Sequence, residues 1–245
     1  MQQIIYSLSS ILSSLETNKN LLWYPISMKR TYEIPNPIID WSTQNLQCVS
    51  QPQKLDVISD VSVITQMLSE ILCILQLDES KIEYSAYYIQ TCATSPDFFK
   101  ALYFLKRTGT TTNQCVETKQ LPGVCPTKCD NNEEIPKLFK INNYKNVKNE
   151  TSMEQEILNA PLLSYMAIFD DLQFYGGGIY QHEYGQMTGY KGVEIVGFGE
   201  DDGNKYWKVK LDKGTEWGEE GYLRIIKGID DCFIESNAYT ISIPE

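Results

Sequence analysis

A helix-rich first half followed by a strand-rich second half predicts an α+β protein of two lobes with a cleft between them. Two stretches and one boundary carry that expectation. In DVSVITQMLSEILCILQ, the residues Ile64, Met67, Leu68, Ile71, Leu72 and Leu75 recur at helical spacing. In the second half, GVEIVGFGE, NKYWKVKLD, GYLRIIKG and AYTISIPE are strand-like runs parted by Gly, Asp and Asn turns. The pattern changes near Tyr144, which sets a mainly helical lobe over 36–143 and a mainly β lobe over 144–245.

Within the helical half a second helix is expected in PDFFKALYFLKRTG, ended by Gly109. Residues 1–35 show a weakly amphipathic helix pattern and then a Pro-containing extended stretch, without a core of their own. They read as an N-terminal extension, expected to act as a docking arm. The 245 residues allow one large or two small domains with real cores. A hydrophobic content of 42% and a charged content of 22% are ordinary for a globular protein.

A formal net charge of −11 disfavours nucleic acid and anionic membrane surfaces as partners. No apolar run reaches the ~20 residues of a membrane span. The stretch MQQIIYSLSSILSSLETNK lacks a basic start, a solid apolar segment and a small-residue cleavage site, so it reads as neither a signal peptide nor a transit peptide. Asn149-Glu150-Thr151 is a glycosylation sequon, a three-residue pattern of low specificity. The single histidine, His182, rules out a His-rich metal site, and no cofactor is expected. Cys115, Cys125 and Cys129 could form a zinc site or take part in disulfides.

Several segments together are specific: APLLSYMAIFDDLQFYGGGIYQHEYGQMTG, GTEWGEEGYLRI and CFIES, with YEIPNPIIDWSTQNLQC and YSAYYIQTC upstream. Over roughly residues 34–245 the chain is similar to the cathepsin B-like branch of the papain family of cysteine proteases. The resemblance implies a papain-like two-lobed fold. It also implies where catalytic groups should stand, and there the sequence departs from the family pattern. The nucleophile elbow, Gln-Gly-Ser-Cys-Gly-Ser-Cys-Trp in the family, aligns with Gln53 to Asp60. Gln53 keeps the oxyanion-hole glutamine, Ser59 replaces the nucleophilic cysteine, and Asp60 replaces the tryptophan. The Gly-His-Ala that carries the general base aligns with the run GYKG, so that Lys191 takes the histidine's place. The orienting asparagine becomes Leu211, and the tryptophan that shields it becomes Lys213.

The substrate-groove glycines are missing too, since ATSPDFF follows Cys92 with no Gly-Gly for a peptide to approach. The histidine loop that makes cathepsin B a dipeptidase is likewise absent between Cys115 and Cys125. A papain-type enzyme needs a thiolate activated by an imidazolium. A serine hydroxyl beside a protonated lysine, with no orienting group, lacks that chemistry. The expectation is therefore an inactive, degenerate homologue serving as a structural or accessory subunit of a larger assembly, with other protein subunits as partners. Two alternatives stand beside it: a peptide-binding module that keeps the vestigial cleft, and a residual hydrolase using a Ser59–Lys191 dyad with Gln53 as oxyanion donor. In the subunit reading Lys191 faces an acid, Asp60 or Asp212, and Ser59 is a helix N-cap. His182, whose counterpart in the family is non-catalytic, is expected to be structural.

The resemblance also implies the disulfides Cys48–Cys73, Cys92–Cys125 and Cys115–Cys129, with Cys232 free. Other family bridges have vanished as pairs, at Asp56 with Ala101 and at Ala93 with Asp97. Paired loss is what formed disulfides would leave, and it points to an oxidising compartment. The mitochondrial intermembrane space is the first candidate, with a secretory lumen or a ciliary or cytosolic assembly as rivals.

Overall fold

The computed structural model describes residues 39–53, 60–75, 81–117 and 124–244. The extension 1–35, Asp56 and Ser59 lie outside the described residues. In chain order the elements are β1 (Ile39–Asp40), α1 (Trp41–Gln44), α2 (Asp60–Ile74), α3 (Ala86–Cys92), α4 (Phe98–Arg107), β2 (Asn143–Val147), α5 (Glu150–Ile157), β3 (Leu162–Phe169), β4 (Ile179–Tyr180), β5 (Met187–Asp201), β6 (Asn204–Lys210), β7 (Tyr222–Ile226) and β8 (Ala238–Ser242). Short 3-10 turns cover Asp170–Phe174 and Asp231–Phe233.

Helix α2 forms because its apolar residues return every three or four positions. Val61, Ile64, Met67, Leu68, Ile71 and Leu72 are all buried. Leu75, expected to extend this stripe, is instead 44% exposed, because the helix ends at Ile74 and the next residue leaves the buried face. Helix α3 starts at Ser85, whose hydroxyl accepts from the Tyr88 amide, and α4 starts at Asp97, whose carboxylate accepts from the Lys100 amide at 2.8 Å. Lys106 and Arg107 complement the last turn of α4. Gly109 follows at φ +94°, where a Cβ would stand 2.3 Å from the Phe139 carbonyl oxygen, so glycine is required there.

The second half is a mainly antiparallel sheet with strand order β2-β8-β3-β5-β6-β7-β4, and β1 adds to β5. The close approach of β1 needs Gly197, whose Cβ would meet the Ile39 carbonyl oxygen at 2.3 Å. Two cores result. One gathers α2, α3 and α4 with Ile141 and Leu163. The other lies within the curled sheet around Ile195, Trp207, Val209, Leu223 and Ile225. Strand β5 packs along α2, so the seam between the cores runs past Asp60, Lys191 and Gly192.

Three disulfides, Cys48–Cys73, Cys92–Cys125 and Cys115–Cys129, staple the helical half. Cys115, Cys125 and Cys129 are thus committed to two bridges and form no thiolate metal site. Cys232 is free and buried. Among the described residues no helix is long and apolar enough to cross a membrane, and no cluster of His, Cys, Asp and Glu could hold a metal ion.

Candidate functional site

The site grows from three backbone segments that meet at the seam: the N-terminus of α2, the middle of β5, and the residues that follow β6. Strands β5 and β6 pair with Glu194 opposite Lys210. Continuing that register past the end of β6 brings Asp212 alongside the segment that carries Lys191. The Lys191 ammonium lies 2.5 Å from the Asp212 carboxylate, with side chains 19% and 5% exposed. Neither Asp212 oxygen receives a donor in hydrogen-bonding geometry. The contact is therefore a close pairing of charges rather than a directed hydrogen bond.

Asp60 closes the other side. Its carboxylate accepts from the Gly192 amide at 2.7 Å, tying the first turn of α2 to β5 one residue past Lys191. Burial raises the Asp60 carboxyl above its ordinary range, opposed by the Gly192 hydrogen bond and the Lys191 charge. Gly192 gives the carboxylate room, since a Cβ there would stand 3.2 Å from it and 3.1 Å from the Phe98 ring.

Of the other positions named from sequence, Leu211 is 3% exposed and belongs to the sheet's core. Lys213 is exposed. Gln53 is exposed at the mouth of a cleft lined also by Pro52, Val63, Gln66, Glu194, Lys210, Leu211 and Asp212. Gln53, Lys191 and Leu211 are thus drawn toward one seam, while Ser59 falls outside the described residues. His182 lies elsewhere, stacked on Phe169 with ring centroids 3.7 Å apart. Its Nδ1 is 3.1 Å from both Asp171 oxygens, and its amide donates to Asp231. That histidine holds a turn together.

Two features beside the seam escaped sequence reasoning. The first is a row of stacked rings, Phe98–Tyr165–Tyr190–Phe233, with successive centroids 4.8, 5.3 and 6.4 Å apart. Tyr190 and Phe233 are 42% and 44% exposed. Phe233 is presented by a turn in which Asp230, Cys232 and Phe233 all have positive φ, near +55°. Glu235 supports this turn by accepting from the Gly228 amide and from Trp207 Nε1.

The second is a buried charge cluster under the cleft. Lys210 donates to both Glu70 oxygens at 2.8 Å and lies 2.6 Å from Glu194. The sequence carried a signal for it. Glu70 falls within the buried stripe of α2, three residues after Met67, and Glu194 interrupts the apolar run of β5.

The chain belongs to the papain family of cysteine proteases: residues 61–242 match the family described as papain family cysteine protease. That match begins one residue after the segment aligned with the nucleophile elbow. Among curated relatives, Cathepsin B-like CP2 of Giardia intestinalis is 38% identical over 183 residues, which is 68% of this chain and 60% of the relative. Cathepsin B-like CP1 of the same organism is 30% identical over 236 residues, 89% of this chain and 78% of that protein. The matched stretch thus spans about three fifths of the first of these relatives. Procathepsin B S9 from Trypanosoma congolense superposes with a TM-score of 0.75 at 20% identity, covering 91% of this chain and 82% of that one, which shows the papain-like fold.

Proposed function

We propose that this chain is a catalytically inactive cathepsin B-like protein, kept as a structural or accessory subunit of a larger protein assembly. The observation that carries the reading is the Lys191–Asp212 ion pair, because the resemblance assigns Lys191 the position of the family's general base. An ammonium paired to a carboxylate has no lone pair with which to take a proton from Ser59. Leu211 is packed into the core in place of an orienting amide, so nothing aligns a base even if one were restored. The pair also speaks against the Ser59–Lys191 dyad, since it turns the lysine toward an acid. The three disulfides favour an oxidising compartment, of which the mitochondrial intermembrane space is our first choice.

One observation favours a second reading. The half-exposed rings of Tyr190 and Phe233, beside Lys191, would suit a retained peptide-binding function. Native migration in a gently solubilised extract separates the two. Migration in a complex far above the chain's 28.1 kDa is expected of a subunit. Migration as a free monomer overturns the subunit role and leaves peptide binding to be measured directly.

A further inference from the structure

The cluster under the cleft joins three elements that must stay together for the two cores to form one body. Glu70 comes from α2, Lys210 from β6 and Glu194 from β5, with side chains 0%, 6% and 1% exposed. Two carboxyls face one buried ammonium. A second ammonium, Lys81, stands 3.9 Å from Glu70 at the rim, 21% exposed, and also bonds Ser50. If every group were ionised, the two acids would share the one buried ammonium, since Lys81 lies 3.9 Å from Glu70 at the partly exposed rim, and two neighbouring buried carboxylates repel.

Hydrogen bonding decides which carboxyl is neutral. Glu70 is fully supplied with donors: Lys210 on both oxygens, Gln66 Nε2 at 3.1 Å and the Ser50 amide at 3.1 Å. Glu194 has a single cationic contact, 2.6 Å from the Lys210 ammonium that Glu70 already shares, and no further donor reaches either of its oxygens. Both carboxyls close on the same Lys210 Nζ, Glu70 at 2.8 Å and Glu194 at 2.6 Å, which brings the two acids together. Two carboxylates cannot bond each other, but a carboxylic acid can donate to a carboxylate.

We propose that Glu194 holds a proton that it donates to Glu70, and that this shared proton latches α2 to the β5–β6 pair along the cleft. Loss of the proton turns an acid–carboxylate hydrogen bond into a repulsion between two buried charges, so the latch is sensitive to pH. The cleft that Glu194 and Lys210 line gives the proton a route to solvent. This inference does not depend on whether the chain cleaves peptides.

The remaining groups around Glu194 leave the assignment standing. Burial raises the Glu194 carboxyl to about 8, with the Glu70 charge adding and Lys210 opposing. Burial pushes Glu70 up as well, but Lys210, Glu194 and Lys81 outweigh it and hold Glu70 below its ordinary value. The two carboxylates raise Lys210 to about 12, against its burial. Tyr222 on β7, also raised to about 12 by burial, stays neutral, and it carries the Lys208 ammonium over its ring at 4.4 Å. Lys208 is itself paired with Asp40, as Lys191 is with Asp212.

The sign of the pH effect follows. A carboxyl whose folded value lies above its unfolded one stabilises fully at acid pH, and that stability is lost as pH rises toward about 8. Glu70, shifted down, acts oppositely below its ordinary range. The test measures the thermal midpoint of the protein and of its Glu194→Gln variant from pH 5 to 9.5. The glutamine keeps a donor toward Glu70 and cannot ionise. The wild-type midpoint is expected to fall relative to the variant between pH 5 and 8, by more than roughly 5 °C, and then to run parallel. Parallel curves throughout would overturn the latch.

Should Glu194→Gln fail to fold, the wild-type protein alone decides through the carbonyl stretch of a protonated carboxyl in its infrared difference spectrum. A band present at pH 6 to 7 that disappears across about pH 8 supports the shared proton. Its absence at pH 6 overturns it. In Glu70→Gln the band is expected to vanish, because Glu194 then takes Lys210 as its own counter-ion, a change a merely structural role would not produce.

Discussion

Replacing Lys191 by methionine keeps the length of the side chain and removes its charge, leaving Asp212 buried without a partner. At 2.5 Å and an effective dielectric constant of about 20, the gross attraction between the two charges is roughly 6–7 kcal/mol. Desolvation offsets most of that, and breaking a fully buried pair by removing one partner costs about 3–5 kcal/mol. Lys191 is 19% exposed, so water reaches the vacated carboxylate and the cost falls to about 2 kcal/mol. For a chain of this size that lowers the thermal midpoint by roughly 4–8 °C.

Asp60 adds a pH dependence to this cost. Lys191 pulls the raised Asp60 carboxyl downward, so removing the lysine raises it further. A carboxyl raised on folding loses stability as pH rises, so the deficit of Lys191→Met grows as pH climbs above the ordinary carboxylate range. The double variant Lys191→Met/Asp212→Leu removes both charges and is expected to recover most of the lost midpoint. Scanning calorimetry on the two single variants and the double closes the cycle. A Lys191→Met midpoint equal to wild type, or a double variant less stable than either single, would refute the pairing as the structure's use of Lys191.

Other perturbations have defined outcomes. Leu211→Asn, which restores the family's residue type, places an amide in a site 3% exposed and costs about 3 kcal/mol by urea unfolding, without creating peptide hydrolysis. Asp171 accepts from Tyr180 at 2.6 Å and from the Glu183 and Tyr184 amides. Against the effect of burial, these bonds hold its carboxyl well below the usual range. Its contribution is present above that range and lost as pH falls. Asp171→Asn therefore loses about 2 kcal/mol at pH 7, and the gap to wild type begins to narrow only as pH falls below the ordinary carboxylate range. Changing Cys48 and Cys73 to serine opens a bridge across 25 residues and lowers stability by roughly 3 kcal/mol, read by comparing unfolding with and without reductant.

Much of this was legible in the chain because the informative residues were punctuators or replacements. The apolar stripe of α2, the four strand runs and the Gly109 stop specify local structure by periodicity and turn chemistry. Lys191 could be expected to face an acid because two acids, Asp60 and Asp212, stood in the segments that flank the cleft, and it pairs with Asp212. The placement of His182 against Asp171 is structural, as its non-catalytic counterpart in the family suggested.

The buried cluster was hidden for a physical reason. Glu70 and Glu194 each interrupt an apolar run, but they and Lys210 are far apart in sequence, and nothing in the chain says that the three meet. Only the β5–β6 register, with Glu194 opposite Lys210, and the packing of α2 on β5 bring them together. The ring row was hidden likewise, since Phe98, Tyr165, Tyr190 and Phe233 come from four separate segments. Helix α5 and strand β2 carry weak periodicity and are held in place by contacts with the sheet.

The most direct test of the central reading is hydrolysis of fluorogenic peptides by the purified, disulfide-bonded chain between pH 4 and 9, run beside its Ser59→Ala and Lys191→Met variants. The account predicts that all three remain at the uncatalysed background at every pH. A wild-type rate above background that disappears in both variants would contradict it and assign the chemistry to Ser59 and Lys191.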